Sequence, residues 1–79
     1  MILLPTLFPC PLGYTAPRGF SYNNLGQYER AIQDYDDTFR LDPQYAQAYY
    51  ARGYAYQGLG KSTEAERDIA KAKELGYNP

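Results

Sequence analysis

The sequence predicts an all-α fold: two stacked antiparallel helix hairpins preceded by a Pro-rich extended arm. Three observations carry that prediction. The first is an internal repeat at a spacing of 34 residues, in which Arg18, Gly19, Tyr22, Leu25, Gly26, Ala31, Asp34 and Leu41 recur as Arg52, Gly53, Tyr56, Leu59, Gly60, Ala65, Asp68 and Leu75. These are 8 identities over the 28 positions from Arg18 to Tyr45, against about two expected from composition. The pairs Phe20/Tyr54, Ser21/Ala55 and Asn23/Gln57 add conservative matches. A period this long marks a helical hairpin stacked on a copy of itself. The second observation is that apolar residues from Arg18 onward recur at helical spacing, with no alternating stretch that would read as a strand. The third is a single change of composition. Residues 1–17 contain Pro5, Pro9, Pro11 and Pro17 and carry no charge, whereas the remainder is charged and rich in Ala and Tyr.

Each element follows in order. Residues 1–16 read as an apolar arm and residues 17–79 as the helical domain, with repeats over about 12–45 and 46–79. Pro17 suits a helix start, where its missing N–H is not needed, so the first helix is expected from Pro17 to Asn24 and ends at Gly26. The second is expected from Tyr28 to Leu41, with Ala31, Ile32, Tyr35, Thr38 and Phe39 on one face. Asp42, preceding Pro43, is pushed out of the helical region and stops it. A third helix from Tyr45 to Gln57 presents Tyr49, Gly53 and Tyr56 together and closes at Gly58 and Gly60. The last runs from Ser62 to Leu75, its start favoured by Thr63 and Glu66 in capping-box order and its end by Gly76.

Composition narrows the function. At 79 residues the chain makes one domain, and a domain of this size buries only about 60% of its unfolded surface. The counts of 8 Lys+Arg and 9 Asp+Glu leave a net charge of -1, which provides no basic field for nucleic acid. With no His and Cys10 the only cysteine, the commonest general base, an internal disulfide and a cysteine-based zinc site are all excluded. No cofactor is implied. The apolar start lacks a positive first section and is broken by prolines, so it makes a poor signal peptide and is too short to span a bilayer. The expected compartment is cytoplasmic, with no membrane contact.

The runs Arg18-Gly19-Phe20-Ser21-Tyr22, Leu25-Gly26-Gln27-Tyr28, Ala31-Ile32 and Leu41-Asp42-Pro43, with their second copy from Ala48 to Leu75, resemble the tetratricopeptide repeat. Gly19 and Gly53 lack a Cβ where one helix presses on its partner, and Ala31 and Ala65 allow the same closeness from the facing helix. The resemblance implies a right-handed stack of helix pairs whose first helices line a concave groove for partner peptides. It also frames two departures. Gly13-Tyr14-Thr15-Ala16-Pro17 replaces the front of the opening helix, which predicts a truncated first hairpin. At the other end Tyr28, Ile32 and Phe39 become Ser62, Glu66 and Lys73, so the second hairpin is expected to act as a terminal cap with a soluble outer face.

The resemblance places Phe20, Asn23, Asn24, Gln47, Tyr50, Tyr54 and Gln57 along the groove, where aromatic and amide side chains suit an extended peptide. Other family members clamp acidic C-termini with Lys, Arg and Asn; aromatic and amide residues at the groove positions here disfavour that activity. Arg18 and Arg52 could bind an anion, but each recurs with an Asp at the same separation, which predicts structural ion pairs to Asp34 and Asp68. Asp34, Asp36 and Asp37 without a His read as a solvated face rather than a catalytic or metal site. The reading is a protein-interaction scaffold without catalysis. The alternative is structural self-association: an arm with Ile2, Leu3, Leu4, Leu7 and Phe8, together with the exposed N-terminal face of a truncated hairpin, would favour a homodimer.

Overall fold

The computed structural model describes the backbone of residues 11–77 and the side chains of residues 16–77. Residues 1–10, most of the expected arm, lie outside the described residues, as does any role for Cys10 or for self-association through that segment. Among the described residues four helices follow one another: α1 (Pro11–Asn24), α2 (Tyr28–Leu41), α3 (Ala46–Gly58) and α4 (Ser62–Glu74). Among the described residues there is no strand. α1 packs on α2 and α3 on α4 as hairpins; α2 bridges to α3, and α1 touches α3 across the stack.

The same turn ends α1 and α3. Gly26 and Gly60 adopt φ of 78° and 80°, the left-handed region that costs glycine least. The N–H of Gln27 then reaches the Tyr22 carbonyl at 2.8 Å and that of Lys61 reaches Tyr56 at 2.8 Å, satisfying helix-end carbonyls in the Schellman pattern. These turns deliver the chain directly into α2 and α4, which begin after Gln27 and Lys61 with no side-chain cap. The expected capping box of Thr63 and Glu66 is therefore not formed: Lys61 holds the N-cap position, and Thr63 already lies inside the first turn.

Two further expectations are corrected. α1 begins at Pro11 rather than Pro17, so the first hairpin has a full 14-residue opening helix and Pro17 sits inside it. An internal proline removes one backbone hydrogen bond and crowds the preceding turn. Here Pro17 faces solvent while its neighbour Ala16 is buried, so packing of α1 holds a turn that propensity alone disfavours. Tyr35 is fully buried, and Ile32 and Phe39 are half-buried against the core.

That core is built from small residues. Ala16, Ala31, Ala48, Ala55, Ala65 and Ala72 are buried, with Tyr35 as the one large apolar side chain among them. Alanine fills a helix seam only when the backbones come close. A methyl added at Gly53 would stand 2.9 Å from Ile69 Cγ1 and 3.0 Å from the Ala65 carbonyl oxygen, so α3 and α4 meet there with no room for a side chain. At Gly19 it would stand 2.7 Å from the Tyr35 ring, which fills the seam of the first hairpin. Between hairpins Phe39 stacks on Tyr49 with ring centres 4.0 Å apart. The residues equivalent to Tyr28, Ile32 and Phe39 in the second repeat, Ser62, Glu66 and Lys73, are all exposed.

Arg–Asp pairs brace each hairpin. Arg18 donates from Nε and an Nη to both oxygens of Asp34 at 2.9 and 2.8 Å. Arg52 does the same to Asp68 at 2.7 and 2.9 Å. Its remaining Nη donates to Asp36 on α2 at 2.8 Å, which ties the two hairpins together. Its guanidinium carbon lies 4.8 Å from the centre of the Phe39 ring. Burial works against the charge on Arg52, but the hydrogen bonds and charge of Asp68, with Asp36, outweigh it and hold the pKa above its ordinary value.

The Asp68 side chain is 6% exposed and that of Asp36 is 52% exposed, so the two partners of Arg52 differ in weight. Asp68→Ala leaves a guanidinium without its paired acceptor and is expected to destabilise by about 2 kcal/mol, and Asp36→Ala by at most about 1 kcal/mol. Urea unfolding at neutral pH checks the order; equal losses would show that burial does not set it.

Tyr35 gives an alkaline signature. Burial pushes its phenol pKa upward, against a hydrogen bond from Asn23 that lowers it, and the charge of Asp34 adds to the rise. Below about pH 10 the phenol is neutral in folded and unfolded chains alike; above it the unfolded chain releases its proton first, so stability falls as pH rises. Tyr56 shifts in the same direction, again chiefly by burial. Tyr35→Phe is therefore expected to shallow the loss of stability from about pH 9 to about pH 11 without abolishing it. An unchanged slope in urea unfolding across that range would rule out this role for the hydroxyl.

Candidate functional site

The candidate site is a depression between helices α1 and α3. It is lined by Phe20, Asn23 and Asn24 from α1, by Gln47, Tyr50, Ala51 and Tyr54 from α3, and by Tyr77 from the segment after α4. The period of the helix explains the α3 set: 47, 50, 51 and 54 recur at three- and four-residue steps and so share one stripe. Its volume is about 190 Å³, below the few hundred Å³ of typical small-molecule pockets and suited to a side chain or a short chain segment.

Six of the seven groove residues expected from the sequence line this depression, with three different roles. Tyr54 is 53% exposed and presents its ring to solvent, while Tyr50 is half-buried. Asn24 and Gln47 are exposed amides at the rim. Phe20 reaches inward, with its ring centre 5.7 Å from that of Tyr35, and so joins the groove wall to the core. Asn23 is only 7% exposed. Its Nδ2 donates to the Tyr35 hydroxyl at 2.9 Å and to the Ala51 carbonyl at 3.0 Å, tying α1 to α2 and α3. Its Oδ1 is buried with no hydrogen-bond partner. Gln57, the seventh, is exposed on the last turn of α3 and does not line the depression.

Tyr77 and Ala51 belong to the lining although the repeat pattern did not point to them. Ala51 follows from its place four residues after Gln47 and three before Tyr54 on the same stripe. Tyr77 depends on the turn after α4: Gly76 adopts φ of 101°, and the Tyr77 N–H donates to the Ala72 carbonyl at 2.9 Å. The Tyr77 ring centre then lies 5.2 Å from that of Tyr50, tilted by 48°. A Gly-Tyr pair at a helix end was the available signal, but its direction depends on where α3 lies.

The acidic run on α2 is taken up by arginines. Asp34 pairs with Arg18, Asp36 with Arg52, and Asp37 with Arg40. Among the described residues no group of three or more His, Cys, Asp or Glu is placed to hold a metal ion. No helix among them is long and apolar enough to cross a membrane.

Paired helices with glycine and alanine at their seams, repeated at 34 residues around such a depression, define a helical-repeat protein. The family described as TPR repeat matches residues 19–60, and a second description, tetratricopeptide repeat, matches residues 46–75. The chain belongs to the tetratricopeptide repeat family. Small glutamine-rich tetratricopeptide repeat-containing protein 2 of Saccharomyces cerevisiae is 33% identical over 62 residues, 78% of this chain and 18% of that protein. Heat shock protein STI1 of the same organism is 33% identical over 58 residues, 73% of this chain and 10% of that protein. The protein of the first description from Mycosarcoma maydis is 29% identical over 62 residues, again 78% of this chain and 18% of that protein. The chain thus spans less than a fifth of the length of these relatives. Family and relatives together support a protein–protein interaction module.

Proposed function

We propose that this chain holds a peptide segment of a partner protein in the groove between α1 and α3 and performs no chemistry of its own. The observation that carries this reading is the aromatic stripe of exposed Tyr54 and half-buried Tyr50 facing Phe20, over a core that is already filled beneath it by Ala48, Ala55 and Tyr35. Exposed rings that the fold does not need to bury are a source of binding energy, because they offer area at low conformational cost. The amides of Asn24 and Gln47 beside them can pair with the backbone of an extended segment. Absence of catalysis is supported by the pairing of Asp34, Asp36 and Asp37 with arginines, which leaves those carboxylates engaged as acceptors.

Replacement of both Tyr50 and Tyr54 by Ala is expected to reduce partner capture by at least about tenfold while leaving helicity unchanged. Affinity recovery and circular dichroism on the same samples check this. Loss of helicity would assign the two rings to the core instead, and unchanged capture would move the binding surface off the groove.

A further inference from the structure

The groove is electrically neutral, although the chain around it is not. None of its lining residues carries a charge. The arginines on α1 and α3, Arg18 and Arg52, direct their guanidinium groups to Asp34 and to Asp68 with Asp36. A carboxylate entering this depression would lose hydration without meeting a counter-charge, a penalty that a neutral segment avoids. The walls are rings: Phe20, Tyr50, Tyr54 and Tyr77. Tyr77 is the distinctive one, since Pro43 stands 34 residues before it and the wall is not part of the repeated pattern.

We propose that the groove selects an extended, uncharged segment of a partner protein, seating an apolar side chain among Tyr50, Tyr54 and Tyr77, with Tyr77 as a specificity-determining wall. This rests on the reading that the groove holds a peptide and adds the chemistry of that peptide. The small volume favours one seated side chain. Neutral recognition also carries a salt signature, because screening weakens charged contacts and leaves apolar burial largely intact.

The test is an NMR titration of the full chain with two pools of octapeptides. One pool is N-acetylated, C-amidated and built from Leu, Ile, Phe, Pro, Thr and Asn; the other ends in a run of Asp and Glu with a free carboxylate. The neutral pool is expected to shift the resonances of Tyr50, Tyr54 and Tyr77 and to bind at least about tenfold tighter than the acidic pool, with less than about a twofold change in affinity on raising salt from about 0.05 M to about 0.5 M. Tyr77→Ala is expected to weaken the neutral pool at least about fivefold with helicity retained, and Tyr77→Phe to keep it. Equal or tighter binding of the acidic pool at the same tyrosines overturns the neutral selectivity while leaving the groove reading intact. Failure of both pools to shift these residues overturns the proposal, and it does so even where the Tyr50/Tyr54 double variant loses partner capture, which separates the two readings. Unchanged affinity in Tyr77→Ala removes the wall.

Discussion

Close approach of helix backbones is the constraint on which this structure depends. The buried apolar set is almost wholly alanine, and a methyl fills a seam only when the helices are nearly in contact. Gly53 permits that contact against Ala65 and Ile69, and Gly19 makes room for the Tyr35 ring. Apart from Tyr35, whose ring fills the first seam, the large side chains stand where the hairpins meet each other. Phe39 stacks on Tyr49 there, and the Tyr28 ring occupies the space that Gly58 leaves open. The groove is a consequence of the same arrangement: α1 and α3 lie side by side, and rings not needed between helices stand along it.

Thin seams bury little apolar area, so directional contacts carry more of the specificity. Arg52 joins three helices at one guanidinium, reaching Asp68 on α4 and Asp36 on α2 from its place on α3. Its planar fork suits this geometry in a way a lysine ammonium would not. Asn23 does comparable work in the first hairpin with a neutral amide, holding the Tyr35 hydroxyl and the Ala51 carbonyl from one nitrogen. The two devices differ in where they sit. The arginines draw charge away from the groove, whereas Asn23 lies on its wall and leaves an acceptor unmatched there.

The groove residues were assigned by the resemblance to the tetratricopeptide repeat, and helical spacing agrees with that assignment. Tyr50 and Tyr54 are four apart on α3, and Phe20 repeats Tyr54 at the 34-residue spacing, so the three rings fall on corresponding stripes. Gln57, assigned by the same resemblance, lies outside the depression, which ends before the last turn of α3. For Asn23 the face was right and the role incomplete, since the sequence cannot show that Ala51 and Tyr35 converge on its amide. Tyr77 lay beyond any pattern because it has Pro43, not an aromatic, as its counterpart.

By itself, the sequence determined the elements whose causes are local or repeated: α2 between Gly26 and Asp42-Pro43, the glycines at the turns, the small residues at the seams, and the Arg–Asp spacing of 16 residues in both copies. Tertiary structure decided the rest. Pro17 is a helix-start residue by propensity, yet α1 runs through it from Pro11, with Ala16 buried beside it. Thr63 and Glu66 have the spacing of a capping box, yet the Schellman turn at Gly60 makes Lys61 the N-cap, two residues before Thr63. Local preferences of this kind are worth about 1–3 kcal/mol each, and the packing of a neighbouring helix outweighs them.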